Sequence, residues 1–331
     1  AVLGTLEDDG RIATEEIRRF PNRIVHLGEH LHWNIVGLYG EILDAMAACA
    51  ARGVRPASIG IDTWGVDFGL VGVAADLVGL PRCYRDPAGR AALGAYQAHF
   101  PLERLYELTG TQVLPINSIF QLYALARRSG DLFRSARHLL FMPDLVNFWL
   151  TGQRCTERTF ATTTGLFDPR AGQWCREVLG NIRVPLRIMQ RIVSPGTPIG
   201  PVSGPAALET GLDGVGVVAV ATHDTASAVA ALPAEGRDFA FISSGTWSLV
   251  GIETDAPIIS PQTYAANLTN EGGVAGTVRV LKNVTGLWLL QECRRAWSRR
   301  AGGGRGGGGR GGGGAGAGGG DGGGGGGGGG G

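Results

Sequence analysis

The chain has 331 residues, is 44% hydrophobic and 18% charged, and carries a formal net charge of +1 at pH 7. So small a charge argues against a strongly electrostatic partner such as duplex DNA, and no apolar stretch reaches membrane-spanning length. The five cysteines (Cys49, Cys83, Cys155, Cys175 and Cys293) form no C-x-x-C and read as free thiols in a reducing compartment; with no signal peptide at the start, the expected location is the cytoplasm.

Residues 1–6 and 12–20 read as two strands around an Asp8-Asp9-Gly10 turn, a hairpin by pattern. With no initiator Met and no strand before it, the chain is expected to begin partway through a fold. His26, His30 and His32 precede an amphipathic helix over 33–52. No Cys or Asp pattern completes a ligand set around them, so they read as a surface connection and no metal site is expected. Residues 57–61 form a short buried strand ending in Asp62-Thr63-Trp64-Gly65, and 66–71 resume as a strand. That loop is either an ordinary glycine turn or a place where Gly65 lets a ligand approach the backbone, with Trp64 and Asp67 lining a polyol pocket.

Helical patterns follow over 91–99, over 103–109 closed by Gly110, and over 119–128. Residues 139–150 are more apolar, broken at Pro143 and stopped by Thr151-Gly152. The threonine-rich 156–164 reads as an extended or turn segment held by side-chain hydrogen bonds. A short helix begins over 174–179, and 195–200 is a turn-rich connector.

Val217-Val218-Ala219-Val220-Ala221 has the length and composition of a buried strand. Asp224 lies just past its end, before a small-residue helix for which Thr225 is the expected N-cap. Open α/β sheets keep their chemistry at such strand ends, and a helix N-terminus favours the ionised carboxylate that a base requires. Residues 239–252 then read as strand, Ser243-Ser244-Gly245-Thr246 turn, strand, a turn whose hydroxyl and N–H groups suit phosphate oxygens. Each run alone has an ordinary structural explanation. Residues 266–273 are a polar loop, 278–281 a short apolar segment, and 282–286 open a helix to about Trp297, with Val284, Leu287, Trp288 and Leu290 packed inward. Asn283 is its expected cap and Gln291 sits on its solvated face. The glycine-rich 301–331, with Arg305, Arg310 and Asp321 interspersed, has no side chains to bury and is expected to be a disordered tail.

A base closing one lobe and a phosphate-type hairpin opening the next is the layout of a two-lobed sugar kinase. The stretches SIGIDTWGVDF (58–68), GLPRCYRD (79–86), YELTGTQVLPINSIFQL (106–122), MPDLVNFWLTG (142–152), ERTFATTTGLFD (157–168), VVAVATHDTASAV (217–229), FISSGTWSLVGIE (241–253), ANLTNEGG (266–273) and RVLKNVTGLWLLQECRR (279–295) resemble the rhamnulokinases of the FGGY carbohydrate kinases. The resemblance covers most of 1–297. It implies an α/β, actin-like, ribonuclease-H-like fold of two lobes, with 1–232 as the sugar-binding lobe and 233–300 as the start of an incomplete nucleotide-binding lobe. It also implies ATP-dependent, Mg2+-assisted phosphorylation of L-rhamnulose at its 1-hydroxyl. Position by position, Asp224 matches the general base, and Gly65, His223, Asp224, Thr225 and Asn283 match sugar contacts. Thr246 and Gln291 match ATP contacts.

Three departures stand out. Pro87-Ala88-Gly89 replaces an Arg-Thr pair, the first phosphate loop with its metal-holding acidic residue would precede Ala1, and the glycine tail replaces the family's remaining C-terminal portion. A truncated chain is therefore expected. Alternatives are a kinase for another ketose or a non-catalytic sugar-binding remnant. RNA binding by the tail is disfavoured: Arg305 and Arg310 are its arginines, and no aromatic residue intervenes.

Overall fold

A computed structural model describes residues 1–236, 238–245 and 247–303. It comprises one unit of residues 1–286 and a second beginning at Leu287. Of the expected tail, residues 301–303 close a helix, and 304–331 lie outside the described residues.

The first unit is mixed α/β and holds two sheets of more than two strands. Three strands lie in the order Thr197–Pro201, Gly216–Ala219, Ser58–Gly60; the first pair is antiparallel and the second parallel. The parallel pair brings the ends of two strands that are distant in sequence to the same edge, as ligand sites in α/β sheets require. The expected connector over 195–200 is thus largely a strand. A bulge between Pro198 and Gly200 absorbs the prolines and glycine that obscured its pattern.

The second sheet is antiparallel, in the order Ala240–Ser244, Trp247–Thr254, Val278–Thr285, Thr269–Gly272. Ser243, Leu249 and Asn283 stand in register across three of its strands. Phe241, Leu249 and Leu281 are buried on that face and pack with Val229 of the helix Asp224–Ala230. Ile242, Val250 and Ile252 are 69%, 42% and 43% exposed, so the opposite face keeps apolar side chains in solvent.

Sequence patterning misjudged this sheet. Thr269–Gly272 is a fully buried strand, not a polar loop: the Asn270 side chain and the Gly272 N–H find their partners inside the protein, at the Gly110 carbonyl and Thr162 Oγ1. Residues 282–285 extend the preceding strand, and the helix starts at Trp288. Asn283 is therefore a strand residue, and Val284, Leu287 and Leu290 are 38%, 47% and 52% exposed instead of packed inward.

The hairpin at the start holds, with its second strand confined to Ile12–Glu16. Residues 24–33 form another hairpin that carries the three histidines. Pro143 does not break a helix but begins one. His138–Phe141 is a strand, and Met142–Thr151 a helix whose first turn needs no proline N–H. That helix is buried almost all round, as an apolar helix must be. It joins the cluster of Leu43, Met46 and Val217 to that of Trp33, Ile35 and Leu140. Gly110 closes Leu102–Thr109 with φ 63°, the left-handed conformation that glycine adopts without steric cost.

Candidate active site

The loops at the ends of the parallel strands are zipped together. The Thr63 N–H donates to the Thr222 carbonyl at 2.9 Å, and the Asp224 N–H donates to the Thr63 carbonyl at 2.9 Å. These bonds bring Gly65 beside His223: a Cβ on Gly65 would lie 3.2 Å from Thr163 Oγ1 and 3.3 Å from His223 Nε2. Val66, next to it, has φ 71°, a strained conformation for a β-branched residue, and Ser118 Oγ donates to its carbonyl.

The helix Asp224–Ala230 is capped by His223, not by Thr225. Thr225 is the second residue of the helix, because the chain turns helical at Asp224. The Asp224 side chain is 55% exposed, and its Oδ1 accepts from the Thr225 N–H at 2.6 Å. That bond orients the carboxylate at the start of the helix.

A cleft of about 410 Å3 opens in front of Asp224. Trp64, Gly65, His223, Thr225, Ser243 and Asn283 are among its lining residues. All five residues expected to meet sugar, Gly65, His223, Asp224, Thr225 and Asn283, thus fall in one cavity. Of the two expected nucleotide residues, Thr246 lies outside the described residues. Gln291 lies on the helix Trp288–Gly303, and its side chain is likewise outside what is described. Ser244 and Gly245, beside Thr246 in the hairpin, do line the cleft.

Asp67 does not line the pocket; it stands behind it. Its fully buried carboxylate accepts from Trp33 Nε1 at 2.5 Å, Trp64 Nε1 at 2.9 Å, the Tyr84 N–H at 3.1 Å and Gln121 Nε2 at 2.8 Å. Trp64 and Tyr84 are cleft residues, so Asp67 fixes the wall from inside. Burial pushes its pKa up to about 6 against the pull of these donors.

Several residues that patterning passed over complete the site. Gln112 pairs with Asn283. Glu157 Oε2 accepts from the Thr222 N–H at 2.9 Å, from Thr222 Oγ1 at 3.0 Å and from Thr159 Oγ1, which fixes the residue before His223. Burial also pushes the Glu157 carboxyl up. Behind His223, Arg279 is fully buried, with Nη2 3.2 Å from Glu271 Oε2 and Nε donating to the Gly272 carbonyl at 2.9 Å. Burial alone would raise the Glu271 carboxyl; the His223 ring and Arg279 outweigh it and hold it below its usual range. A charged pair inside a segment that reads as loop followed by strand leaves no periodic trace.

Among the described residues, no three His, Cys, Asp or Glu side chains converge to hold a metal ion, and none of the helices is long and apolar enough to cross a membrane.

The N-terminal domain of the FGGY family of carbohydrate kinases matches residues 7–231, and the C-terminal domain of that family matches 240–305. A rhamnulokinase of Bacteroides thetaiotaomicron is 45% identical over 297 residues, which is 90% of this chain and 61% of that protein. A rhamnulokinase of Pectobacterium carotovorum is 44% identical over 280 residues, 85% of this chain and 55% of that protein. The chain thus spans between 55% and 61% of the length of these relatives. Among solved structures, a gluconate kinase from Lactobacillus acidophilus superposes with TM-score 0.75 at 17% identity, covering 87% of this chain and 58% of that one. A Plasmodium falciparum glycerol kinase with ADP does so with TM-score 0.75 at 13% identity, covering 88% and 61%. At such identities these two matches speak to the fold alone: the mixed α/β fold of the sugar kinases.

Proposed function

Since this chain belongs to the FGGY family of carbohydrate kinases, we propose that it carries the sugar site of a rhamnulokinase and transfers the γ-phosphoryl group of ATP to the 1-hydroxyl of L-rhamnulose. The observation that supports this best is the exposed Asp224 carboxylate at the mouth of a cleft shared with Gly65, His223, Thr225 and Asn283.

In this reading Asp224 accepts the proton of the 1-hydroxyl as its oxygen bonds to the γ-phosphorus, and the bond from that phosphorus to the leaving ADP oxygen breaks. Phosphoryl transfer asks the protein chiefly for positioning and a well-placed base. His223, Thr225 and Asn283 orient the ketose; Gly65 leaves room for it against the backbone. Thr246 and Gln291 serve the nucleotide, which arrives as its Mg2+ complex. Residues 1–232 form the sugar lobe and 233–300 the nucleotide side.

A coupled ADP-release measurement with L-rhamnulose, ATP and Mg2+, run beside Asp224→Asn and a panel of other ketoses, tests this. Sugar-dependent release that falls by roughly 10²–10⁴ in Asp224→Asn supports it. Release with another ketose and not with L-rhamnulose overturns the substrate, and release undiminished in Asp224→Asn overturns the base. Should ADP release be absent, a rise in melting temperature with L-rhamnulose that Asn283→Ala abolishes retains the sugar site and overturns turnover by this chain; absence of both overturns the reading.

A further inference from the structure

We infer that Glu271 and Arg279 are positioning residues: a buried pair on the second sheet that fixes the ring of His223, a residue carried by the first. The inference deepens the proposed function and rests on it only for the ring's use as a sugar contact.

The two sheets meet at this side chain. His223 follows the strand Gly216–Ala219, and its N–H donates to Thr159 Oγ1 at 3.3 Å. Glu271 and Arg279 stand opposite each other in register on the strands Thr269–Gly272 and Val278–Thr285. Nδ1 of His223 is 3.4 Å from Glu271 Oε2 and 3.4 Å from Arg279 Nη2, and those two atoms are 3.2 Å apart. Three polar atoms from three segments thus close a triangle. Arg279 cannot swing away: its Nε is tied to the Gly272 carbonyl, in a side chain with 0% exposure.

The pair gives Nδ1 an acceptor and a donor at equal distance. Carrying hydrogen, that nitrogen donates to Glu271; bare, it accepts from Arg279. The ring keeps a partner in either form, so its orientation does not depend on where its proton sits. Turning the ring over would set Cδ2–H against the pair and lose both contacts. The opposite edge of the ring faces Gly65, where a Cβ would lie 3.3 Å from both Cδ2 and Nε2.

Stability does not account for the pair. Taking two charges out of water costs so much that a buried ion pair is often replaceable by apolar side chains without loss. What an apolar pair cannot do is hold an imidazole nitrogen. The Asn283 side chain also reaches the Glu271 carboxylate, but Gln112 anchors it separately. His223 is therefore the cleft residue that depends on the pair.

The test replaces the pair as a unit. Glu271→Leu/Arg279→Met leaves no charge unpaired, and urea unfolding should find it no less stable than the parent. A second apolar pair, Glu271→Met/Arg279→Leu, serves if the first does not fold. Ring order is read by 13C relaxation at Cδ2 of the six histidines, with His223 assigned by the signal lost in His223→Gln. In the unliganded parent the His223 ring should be as rigid as the backbone around it, and in the double variant it should move on the ps–ns timescale. By calorimetry the double variant should bind L-rhamnulose about ten-fold more weakly than the parent. In a His223→Gln background the same replacement should cost less than about two-fold, because the pair acts through the ring. Arg279→Lys, which keeps a donor at Glu271, should stay close to the parent in both measurements. A mobile ring in the parent, an ordered ring in the double variant, or a loss of affinity that persists in full without His223 would each overturn the inference. A parent that binds no L-rhamnulose would overturn the sugar site and leave the ring measurement to decide this inference.

Discussion

Gln112 and Asn283 clasp one another across 171 positions of sequence. The Asn283 N–H and Nδ2 both donate to Gln112 Oε1, at 3.0 and 3.1 Å, and Gln112 Nε2 donates back to the Asn283 carbonyl at 3.4 Å. The amide of Asn283 is thereby held in the cleft wall and its rotation is stopped. Gln112→Ala should free it, with ketose affinity falling about ten-fold and stability by roughly 1–3 kcal/mol, since two donors lose their acceptor in a partly buried place. Calorimetric titration and urea unfolding of the same variant read the two effects separately.

Asp67 gives the protein a pH-dependent stability whose sign follows from its surroundings. Its folded pKa of about 6 lies above the ordinary value of 3.8, so the folded state keeps a proton that the unfolded chain has released. Stability from this group is fully present below about pH 4, falls as pH rises toward 6, and is flat above that, a change of roughly 3 kcal/mol. Burial pushes Asp144 and Glu157 in the same direction, so the parent slope has several sources. Urea unfolding from pH 4 to 7 should show a smaller slope in Asp67→Asn than in the parent; equal slopes would mean that Asp67 does not titrate in this range.

Glu157 ties the strand end to the helix that follows it in sequence. In Glu157→Gln one carboxylate oxygen becomes an NH2 group. If that group takes the Oε2 position, it faces the Thr222 N–H, Thr222 Oγ1 and Thr159 Oγ1. Turning the amide over moves the clash to the Thr159 N–H, 2.7 Å from the other oxygen. A loss of about 1–3 kcal/mol is expected, together with faster hydrogen exchange at Thr222 and Asp224. Mass-spectrometric exchange on peptides spanning 215–230 would detect it.

Gly65→Ala separates room for a ligand from room for the fold. Its Cβ would sit 3.2–3.3 Å from Thr163 Oγ1 and the His223 ring, a crowding that small side-chain shifts can relieve. Stability should fall by about 1 kcal/mol, the low end of overpacking costs, whereas L-rhamnulose binding should weaken markedly because the new methyl group crowds Thr163 and His223, both residues of the cleft wall. A melting temperature that drops while affinity holds would reverse that assignment.

Much of the fold was legible where local chemistry decides it. Gly110 reads as a helix stop and is one; the valine-rich run before Asp224 reads as a strand and is one. What local patterning cannot see is how a strand's surroundings change along its length. Val278–Leu281 is buried, while Lys282, Val284 and Thr285 are exposed, so one strand carries two patterns and its second half resembles a helix start. Thr225 has the right chemistry for a cap, yet the backbone bond from Asp224 to Thr63 starts the helix earlier. Asp224 and Gly65 stood out because strand-end Asp and Gly motifs are local, whereas His223, Thr225 and Asn283 entered as sugar contacts only through the family resemblance. Gln112, Glu157, Glu271 and Arg279 act through partners distant in sequence or through burial, and nothing in their immediate neighbours marks them.

The parallel pairing of Ser58–Gly60 with Gly216–Val218 has a bearing on how the protein is made. A chain elongating at about 5–20 residues per second leaves the first of these strands waiting on the order of ten seconds for the second. Throughout that interval it presents an open edge to chaperones or to its own kind. Asn283 is synthesised later still. Any stabilisation offered by a molecule filling the cleft therefore reaches only chains whose translation has passed it, and nascent chains must survive without that help.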